Sequence, residues 1–472
     1  MRIRKLIAAL VCAAATVAPA LAQENPEHAR LAAELTALRE QIAQMQSMYE
    51  SRIAALEEKL AGAARPEATD AAASPTQTDP QPQAPSQARL KSTASSFNPE
   101  VSLILQGAYV HRKEVEDRHI GGFVAADDHR HHGHSDRRGF TLDHTELVFA
   151  ANIDPYWRGQ AIVAVLDDEV ELEEAWFQTT ALGHGTGIRA GRFRSGIGYL
   201  NELHAHQWDF YEQPLMYKAL FGRHSYVQDG AQLKWVAPLP FFAGLGAEIG
   251  RGQNFPGNDR NISGANSHAL FAHVGSDIGV SHSWRAGLSW LRTRASERES
   301  HFEMNHGHHH HHDEPGAFSG RSRVWIADFV YKWAPDGNPA RRNFKFQAEY
   351  FRRAEDGTLT ADIHGNTYDS AWHTRQSGYY LASVYRFTPN WRAGMRYDRL
   401  SSGRQNLGDN PLGIETVNYR PNRVSAMVDY NWSEFSRLRL QYSRDRAMPG
   451  LTDNQVMLQY IMSLGSHGAH RF

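Results

Sequence analysis

Cysteine is almost absent from this chain: among 472 residues the only one is Cys12. Arg2, Arg4 and Lys5 precede the apolar run 6–17, and Ala20-Leu21-Ala22 forms a small-x-small cleavage site, so residues 1–22 read as a signal peptide. A lipoprotein reading of Cys12 fails, because Val11 is not small and the charged start is too close. The exported chain is then thiol-free and has no disulfide framework to draw on. Long hydrophobic runs are missing too: beyond residue 22 no stretch reaches the roughly 20 apolar residues of a membrane-spanning helix. A mean hydropathy of −0.55 likewise argues against a bundle of such helices. Nor is there an excess of charge, since 50 Lys and Arg against 52 Asp and Glu leave a net −2. That balance gives no reason to expect nucleic acid as a partner. None of these absences counts against a transmembrane β-barrel, whose strands alternate lipid-facing apolar with lumen-facing polar residues and so carry little net hydrophobicity.

What is present falls into three segments after the signal peptide. Within residues 23–62, Leu31, Leu35, Leu38, Ile42, Met45 and Tyr49 recur at a 4-3-4-3-4 spacing between charged and amide side chains, a heptad seam. The seam shifts through Ile53, Leu56 and Leu60, as a stutter produces. A narrow seam with charged flanks predicts a short coiled coil, in the periplasm, that joins copies of the chain into a homotrimer; the alternative is one amphipathic helix lying on its own barrel. Residues 63–98 are rich in Ala, Pro, Ser, Thr and Gln and bury almost nothing, which predicts a flexible linker.

Residues 99–472 change to runs of about ten residues that alternate apolar with polar, the signature of barrel strands. Val456, Leu458, Tyr460, Met462 and Leu464 form one such face, and Trp325, Ala327, Phe329, Tyr331 and Trp333 another. About 16 strands are expected, an even number as single-chain bacterial barrels have. They start near Val101, Phe140, Arg158, Val170, Gly187, Val227, Phe241, His268, Ser283, Ser322, Asn343, Gln376, Trp391, Asn422, Arg437 and Asn454. The fold class is therefore all-β, an antiparallel transmembrane barrel in the outer membrane, preceded by the coiled coil. Connection lengths agree, because short Pro, Gly and Asn turns alternate with long segments such as 111–139, 196–226, 295–321, 354–375 and 401–421. The connection at 167–169 departs from the rule by being short. Terminal Phe472 matches the aromatic signal that barrel-assembly machinery reads, although residues 465–471 overhang the last strand.

The phrase Arg192-Phe193-Arg194-Ser195-Gly196-Ile197-Gly198-Tyr199-Leu200-Asn201-Glu202, continuing through Asp209-Phe210 to Gln213-Pro214-Leu215, resembles phosphate-selective-type porins. That resemblance implies a long loop after the fifth strand, 196–226, which folds back into the pore. The stretch from Phe97-Asn98-Pro99 to His204-Ala205-His206 and Trp208-Asp209 resembles a related group of His-rich barrels, often labelled zinc-regulated outer-membrane receptors and sometimes TonB-dependent. The second label departs from this chain, because such receptors have a globular plug where this sequence has a coiled coil and a Pro-rich linker.

The expected pore loop carries Glu202, His204, His206, Asp209 and Glu212 against only Lys218 and Arg223, a mixture suited to a cation. Glu169, Glu171 and Glu173 share one face of the fourth strand and extend that character. Arg392, Arg396, Arg437 and Arg439 on later strands fit instead a paired-charge eyelet of general selectivity. Histidine is abundant, with 26 residues, ten of which fall in two acidic contexts. His129, His131, His132 and His134 follow Asp127 and Asp128, and His306 with His308, His309, His310, His311 and His312 precedes Asp313 and Glu314. Imidazoles beside carboxylates are ligands for Zn(II) and similar ions. A pH-responsive surface is the alternative. The strand histidines His144, His268 and His273 read as ordinary lumen or girdle residues. No strand-turn-helix nucleophile phrase is found, so an enzyme is not expected. Two readings remain: a metal-uptake channel, with no tightly bound cofactor and Zn(II) or a similar divalent transition metal as cargo, or a general, small-solute or anion porin whose His-rich loops are incidental or pH-responsive.

Overall fold

The computed structural model describes residues 100–115, 118–124, 138–142, 144–166, 169–222, 225–303, 313–363, 366–414 and 416–465. The expected signal peptide, coiled coil and linker, the runs 129–134 and 306–312, and Phe472 lie outside the described residues. The strands are β1 (Glu100–His111), β2 (Gly139–Thr141), β3 (Thr145–Asn152), β4 (Trp157–Leu166), β5 (Glu169–Thr179), β6 (Thr186–Arg194), β7 (Val227–Val236), β8 (Phe242–Gly250) and β9 (Ser267–Ile278). They continue as β10 (His282–Glu303), β11 (Asp313–Trp333), β12 (Asn343–Ile363), β13 (Asn366–Arg386), β14 (Trp391–Asn406), β15 (Asn422–Ser433), β16 (Ser436–Arg446) and β17 (Asp453–Gly465).

Both β2 and β3 pair with β1, through residues 108–110 and 100–104, so they are two pieces of one interrupted strand. Every other strand is antiparallel to its neighbours in sequence, and β17 returns to β1 from His111↔Val456 to Ser102↔Gly465. The result is a closed antiparallel barrel of sixteen strand positions. Closure leaves no edge, which matters in hydrocarbon, where each unmet backbone N–H or C=O costs several kcal/mol.

Alternation decides which face looks outward. On β17, Val456, Leu458, Tyr460, Met462 and Leu464 are exposed, whereas Gln455, Gln459 and Ser463 are buried in the interior. Leu440 and Tyr442 on β16 are likewise outside, and Arg439, Gln441 and Ser443 inside. Exposed aromatic residues Tyr156, Phe241, Phe242, Phe387, Trp391, Trp432 and Phe435 cluster beside the short turns, as an interface girdle requires.

The loop end differs from expectation in one respect. Segments 295–321 and 354–375, expected as long loops, are mostly strand: β10 and β11 run 22 and 21 residues, and β12 and β13 run 21 each. Their ladders reach Glu303↔Asp313 and Ile363↔Asn366. The extension is held by a second apolar cluster in which Phe318, Leu359 and Trp372 pack with Leu407, Leu412 and Ile414. These residues are scattered among Gly, Ser, Thr and charged residues in the sequence, so the polar composition masked a real alternation. By contrast, the short connection at 167–168 stands, joining Leu166 of β4 to Glu169 of β5.

Candidate functional site

The segment between β6 and β7, residues 195–226, turns into the barrel, and its sequence explains how. Buried Glu248 of β8 accepts hydrogen bonds from the Ser195 hydroxyl and, at 2.8 Å, from the Gly196 N–H. Gly198 has φ +67°, and a Cβ there would lie 2.5 Å from Glu349 Oε2 and 2.6 Å from the Tyr217 hydroxyl. Only glycine lets the chain pass this close. Glu349 of β12 then accepts from the N–H groups of Tyr199 and Leu200, both at 3.1 Å, and from the Tyr217 and Tyr380 hydroxyls at 2.8 and 2.7 Å. Asn201 closes the neck: its amide donates to the carbonyls of Ser195 (2.7 Å) and Tyr226 (3.0 Å), and its oxygen accepts from Tyr226 N–H at 2.6 Å.

The carboxyl-terminal half of the segment is packed and charge-matched. Helix α1 (Leu215–Phe221) buries Leu215, Met216, Tyr217, Leu220 and Phe221 against Phe271, Ile326, Phe351, Tyr380 and Leu400 of the wall. Leu215 N–H donates to Asp398 at 2.9 Å, and Arg353 donates to the Ala219 carbonyl at 2.8 Å. Asp209 is gripped by Lys345 and by Arg392 Nη1 at 2.9 Å. Glu212 is gripped by Arg423 and by Lys218 at 3.3 Å. Burial alone would push both acids toward the neutral form. Lys345 and Arg392 outweigh it at Asp209, and Arg423 and Lys218 at Glu212, so both carboxyls stay well below their usual range. Arg396 and Arg439 add hydrogen bonds to the carbonyls of Glu212 (2.6 Å) and Trp208 (3.0 Å).

The amino-terminal half meets a different wall. His204 Nδ1 lies 3.5 Å from Glu146 Oε2 of β3 and 3.3 Å from Glu173 Oε2 of β5, and its Nε2 lies 3.8 Å from Glu174 Oε1. His206 Nδ1 is 3.1 Å from Glu146 Oε1, and its ring stacks on His204 with centroids 5.8 Å apart. His144, in the break between β2 and β3, completes the group: its Nε2 is 3.2 Å from Glu146 Oε1 and 3.1 Å from Glu173 Oε1. One ligand atom from each of His144, Glu146 and Glu173 falls within 4.8 Å of the others, and all three residues are buried. Arg194 of β6 stands beside them, 3.2 Å from Glu173 Oε2 and 3.7 Å from Glu174 Oε1. Burial pushes the His206 imidazole pKa below its ordinary value despite the pull of Glu146, so the ring is neutral at pH 7 and able to act as a ligand or acceptor.

The five acidic and imidazole residues expected in the loop are thus spread over several partners. His204 and His206 come together, Asp209 and Glu212 each join a basic wall, and Glu202 pairs with Lys234 of β7 at 2.6 Å. Of the acids singled out on β5, Glu173 is in the cluster, Glu171 is half-buried, and the side chain of Glu169 lies outside the described residues. Of the loop-cluster residues, Asp313 opens β11, and the ten histidines fall outside the described residues. Sequence reasoning missed Glu146, Glu174 and Arg194, and it grouped His144 with ordinary strand histidines. His268 is exposed, and His273 lies 3.5 Å from Asp328.

Comparison with known proteins gives one relative across most of the chain. An uncharacterized protein of Aquifex aeolicus (strain VF5) is 30% identical over 404 residues, covering 80% of each chain. The chain belongs to the family of that protein. No family model matches the sequence. Among solved structures, OmpT of Vibrio cholerae is 10% identical over 78% of this chain and 97% of its own, with a TM-score of 0.44. The outer-membrane channel DcaP of Acinetobacter baumannii is 13% identical over the same shares, with a TM-score of 0.43. Salmonella typhi OmpF, in complex with daunomycin, is 11% identical over those shares, with a TM-score of 0.45.

Proposed function

We propose that this protein is an outer-membrane channel that takes up a divalent transition metal, zinc first among them. In this reading the histidine-rich outer loops capture the ion, and the infolded segment passes it inward. The observation that carries the reading is that His204 and His206 reach buried carboxylates of the wall, an assembly of imidazole and carboxylate groups that suits Zn(II) and its neighbours. The closed barrel with its apolar outer face supports the membrane location. Trimer formation through the coiled coil and insertion through Phe472 belong to the same proposal and rest on the sequence.

The alternative, a general or anion-passing porin, draws on the arginines of β14 to β16. In the described residues, however, Arg392, Arg396 and Arg439, with Arg423 beside them, each already face a carboxylate, and Arg437, which meets the Trp208 carbonyl at 3.5 Å, is the one of the expected set whose charge stays available to an anion. The test is flux in vesicles carrying the purified barrel and an internal zinc indicator. Zinc should enter faster than a neutral solute of similar size, and deleting 306–312 should slow entry at limiting zinc but leave it intact at saturating zinc. Equal entry of both solutes, or no effect of the deletion at limiting zinc, would replace this reading with the general porin.

A further inference from the structure

We infer that His144, Glu146 and Glu173 of the wall, with His204 of the infolded segment, form a single binding site for a divalent transition metal. Resting on the proposed function, the inference gives it a specific seat, away from the outer histidine loops that the sequence first points to.

The spacing is the first argument. Around an ion held at about 2.0–2.2 Å by nitrogen and oxygen in a tetrahedron, neighbouring ligand atoms stand roughly 3.3 Å apart. His144 Nε2 lies 3.2 and 3.1 Å from one oxygen of Glu146 and one of Glu173. His204 Nδ1 lies 3.5 and 3.3 Å from the other oxygen of each. His144 Nε2 and one oxygen of each carboxylate thus lie within 4.8 Å of one another, a preformed set of three, whereas His204 faces the other oxygen of each from the far side and would complete the set by moving toward it. The second argument is that the contacts are close without being good hydrogen bonds. His144 Nε2, His204 Nδ1 and Glu146 Oε2 are buried and have no aligned hydrogen-bond partner. Groups of this kind are costly to bury unless something satisfies them, and a cation drawn among the imidazoles and the two carboxylates would do so. The third is charge. With the imidazoles in the neutral form that ligation requires, Glu146, Glu173 and Glu174 bring three negative charges and Arg194 one positive, leaving two, the charge of the proposed ion.

Local irregularity in both strands shows how the wall was bent to make the seat. The break between β2 and β3 leaves His144, Thr145 and Glu146 all buried, where a regular strand would turn one outward. Between β4 and β5 the register jumps from Ile162↔Glu174 to Val163↔Leu172, a bulge that leaves Glu173 without a partner and buries it together with Glu174. Bulges that re-aim side chains are a feature of functional sites. Behind the ligands, His206 Nδ1 contacts Glu146 Oε1 and acts as a positioning residue, orienting that carboxylate. Three ligands come from the wall and one from the segment. The fourth ligand is the one able to leave, which suits an ion that must be taken up and released.

Co(II) is the probe, because its visible absorption reports nitrogen and oxygen ligation directly. The full chain, folded in detergent and stripped with chelator, is titrated in a background in which the histidines of 129–134 and 306–312 are changed to Gln, so that loop binding is removed. One Co(II) per chain should bind, displaceable by Zn(II). Glu146→Gln and His204→Gln should each weaken it at least tenfold, while His373→Gln, on an exposed part of β13, should leave it unchanged. Barrel folding is checked by heat-modifiable gel mobility, and His204, on the segment and outside the sheet, gives a variant that spares the wall. Absence of a stoichiometric site in this background, or Co(II) binding untouched by both Glu146→Gln and His204→Gln, overturns the inference. If vesicle flux is still zinc-selective in that case, the proposed function survives without this seat. A tight Co(II) site in a barrel that passes zinc no faster than neutral solutes upholds the seat and removes the uptake reading.

Discussion

The two halves of the infolded segment use the same kinds of side chain to opposite ends. Residues 209–221 meet a basic wall in which each acid has its cation and α1 fills an apolar pocket, so little is left to bind anything. Residues 204–206 meet an acidic wall with Arg194 in opposition, and several buried polar atoms of that wall make no aligned hydrogen bond. One half is a clamp and the other a receptor. Carboxylates alone do not mark a cation site: Asp209 and Glu212 are buried carboxylates as Glu146 is, yet their arginine and lysine partners have already neutralised them. The count of opposite charges within reach decides the role.

The sharpest way to break the clamp is Glu212→Ala. Arg423 is fully buried, and without Glu212 its nearest remaining carboxylate is Asp445 at 3.9 Å. Breaking a buried ion pair from one side costs about 3–5 kcal/mol. The segment should undock from β14 and β15 while the barrel stays closed, giving rapid proteolytic cleavage within 195–226 and a higher single-channel conductance. Adding Arg423→Met should recover much of the loss, because the stranded charge is then gone. A singly substituted protein as resistant to protease as the parent would show that apolar packing of α1 holds the segment unaided.

Acid should release the same half, and the sign can be worked out. Asp209 and Glu212 have pKa values lowered in the folded protein, so their contribution is fully present above the unfolded values of about 3.9 and 4.3 and is lost only as pH falls through the lowered ones. In metal-free buffer, protease resistance of the segment should be the same at pH 7 and pH 5 and should fall only below about pH 4. Release near pH 6 would instead implicate the histidines or the buried anchoring carboxylates Glu248 and Glu349, and shift the weight of docking to the amino-terminal half.

Much of this was legible in the sequence because period-two alternation and turn chemistry are local. The starts of most strands, those of β11 and β13 excepted, and the outward face of β17 follow from residues close together in the chain, while the inward course of 196–226 was implied by the resemblance to phosphate-selective-type porins. The metal seat was not, for a physical reason: its parts come from β2/β3, β5 and the segment, three places whose meeting is fixed by barrel closure. A signal was present all the same. His144-x-Glu146, Glu171-x-Glu173 and His204-x-His206 are three pairs of potential ligands at a spacing of two, and on a strand that spacing puts both members on one face. Glu174 could not have been found this way, since only the bulge turns it inward. The long hairpins of β10 to β13 were hidden for the opposite reason, their buried residues being few and separated by polar ones.

His206→Ala tests the receptor half without removing a ligand. If the ring orients Glu146 through its 3.1 Å contact, its loss should weaken Co(II) binding by roughly 10- to 100-fold, the usual effect of a supporting partner, while the ligand-field spectrum at saturation keeps its shape. His206→Asn should restore part of the affinity, since an amide can still donate to the carboxylate. A changed spectrum in either variant would make His206 a ligand itself.

The smallest effect is expected at Glu202, which belongs to neither half. Its carboxyl is held below the usual range because Lys234 outweighs the cost of burial, and the two side chains meet at 2.6 Å. Both remain about a third exposed, at 31% and 37%, so water and salt screen the pair. Exposed pairs of this kind contribute about 0–1 kcal/mol. Glu202→Gln should therefore leave Co(II) affinity and segment protection within error of the parent, although the sequence places Glu202 alongside His204 and His206 as an equal. A loss of metal affinity comparable to that of Glu146→Gln would show that the receptor extends along the segment to β7, and the boundary between binding and anchoring residues would have to be redrawn around Lys234.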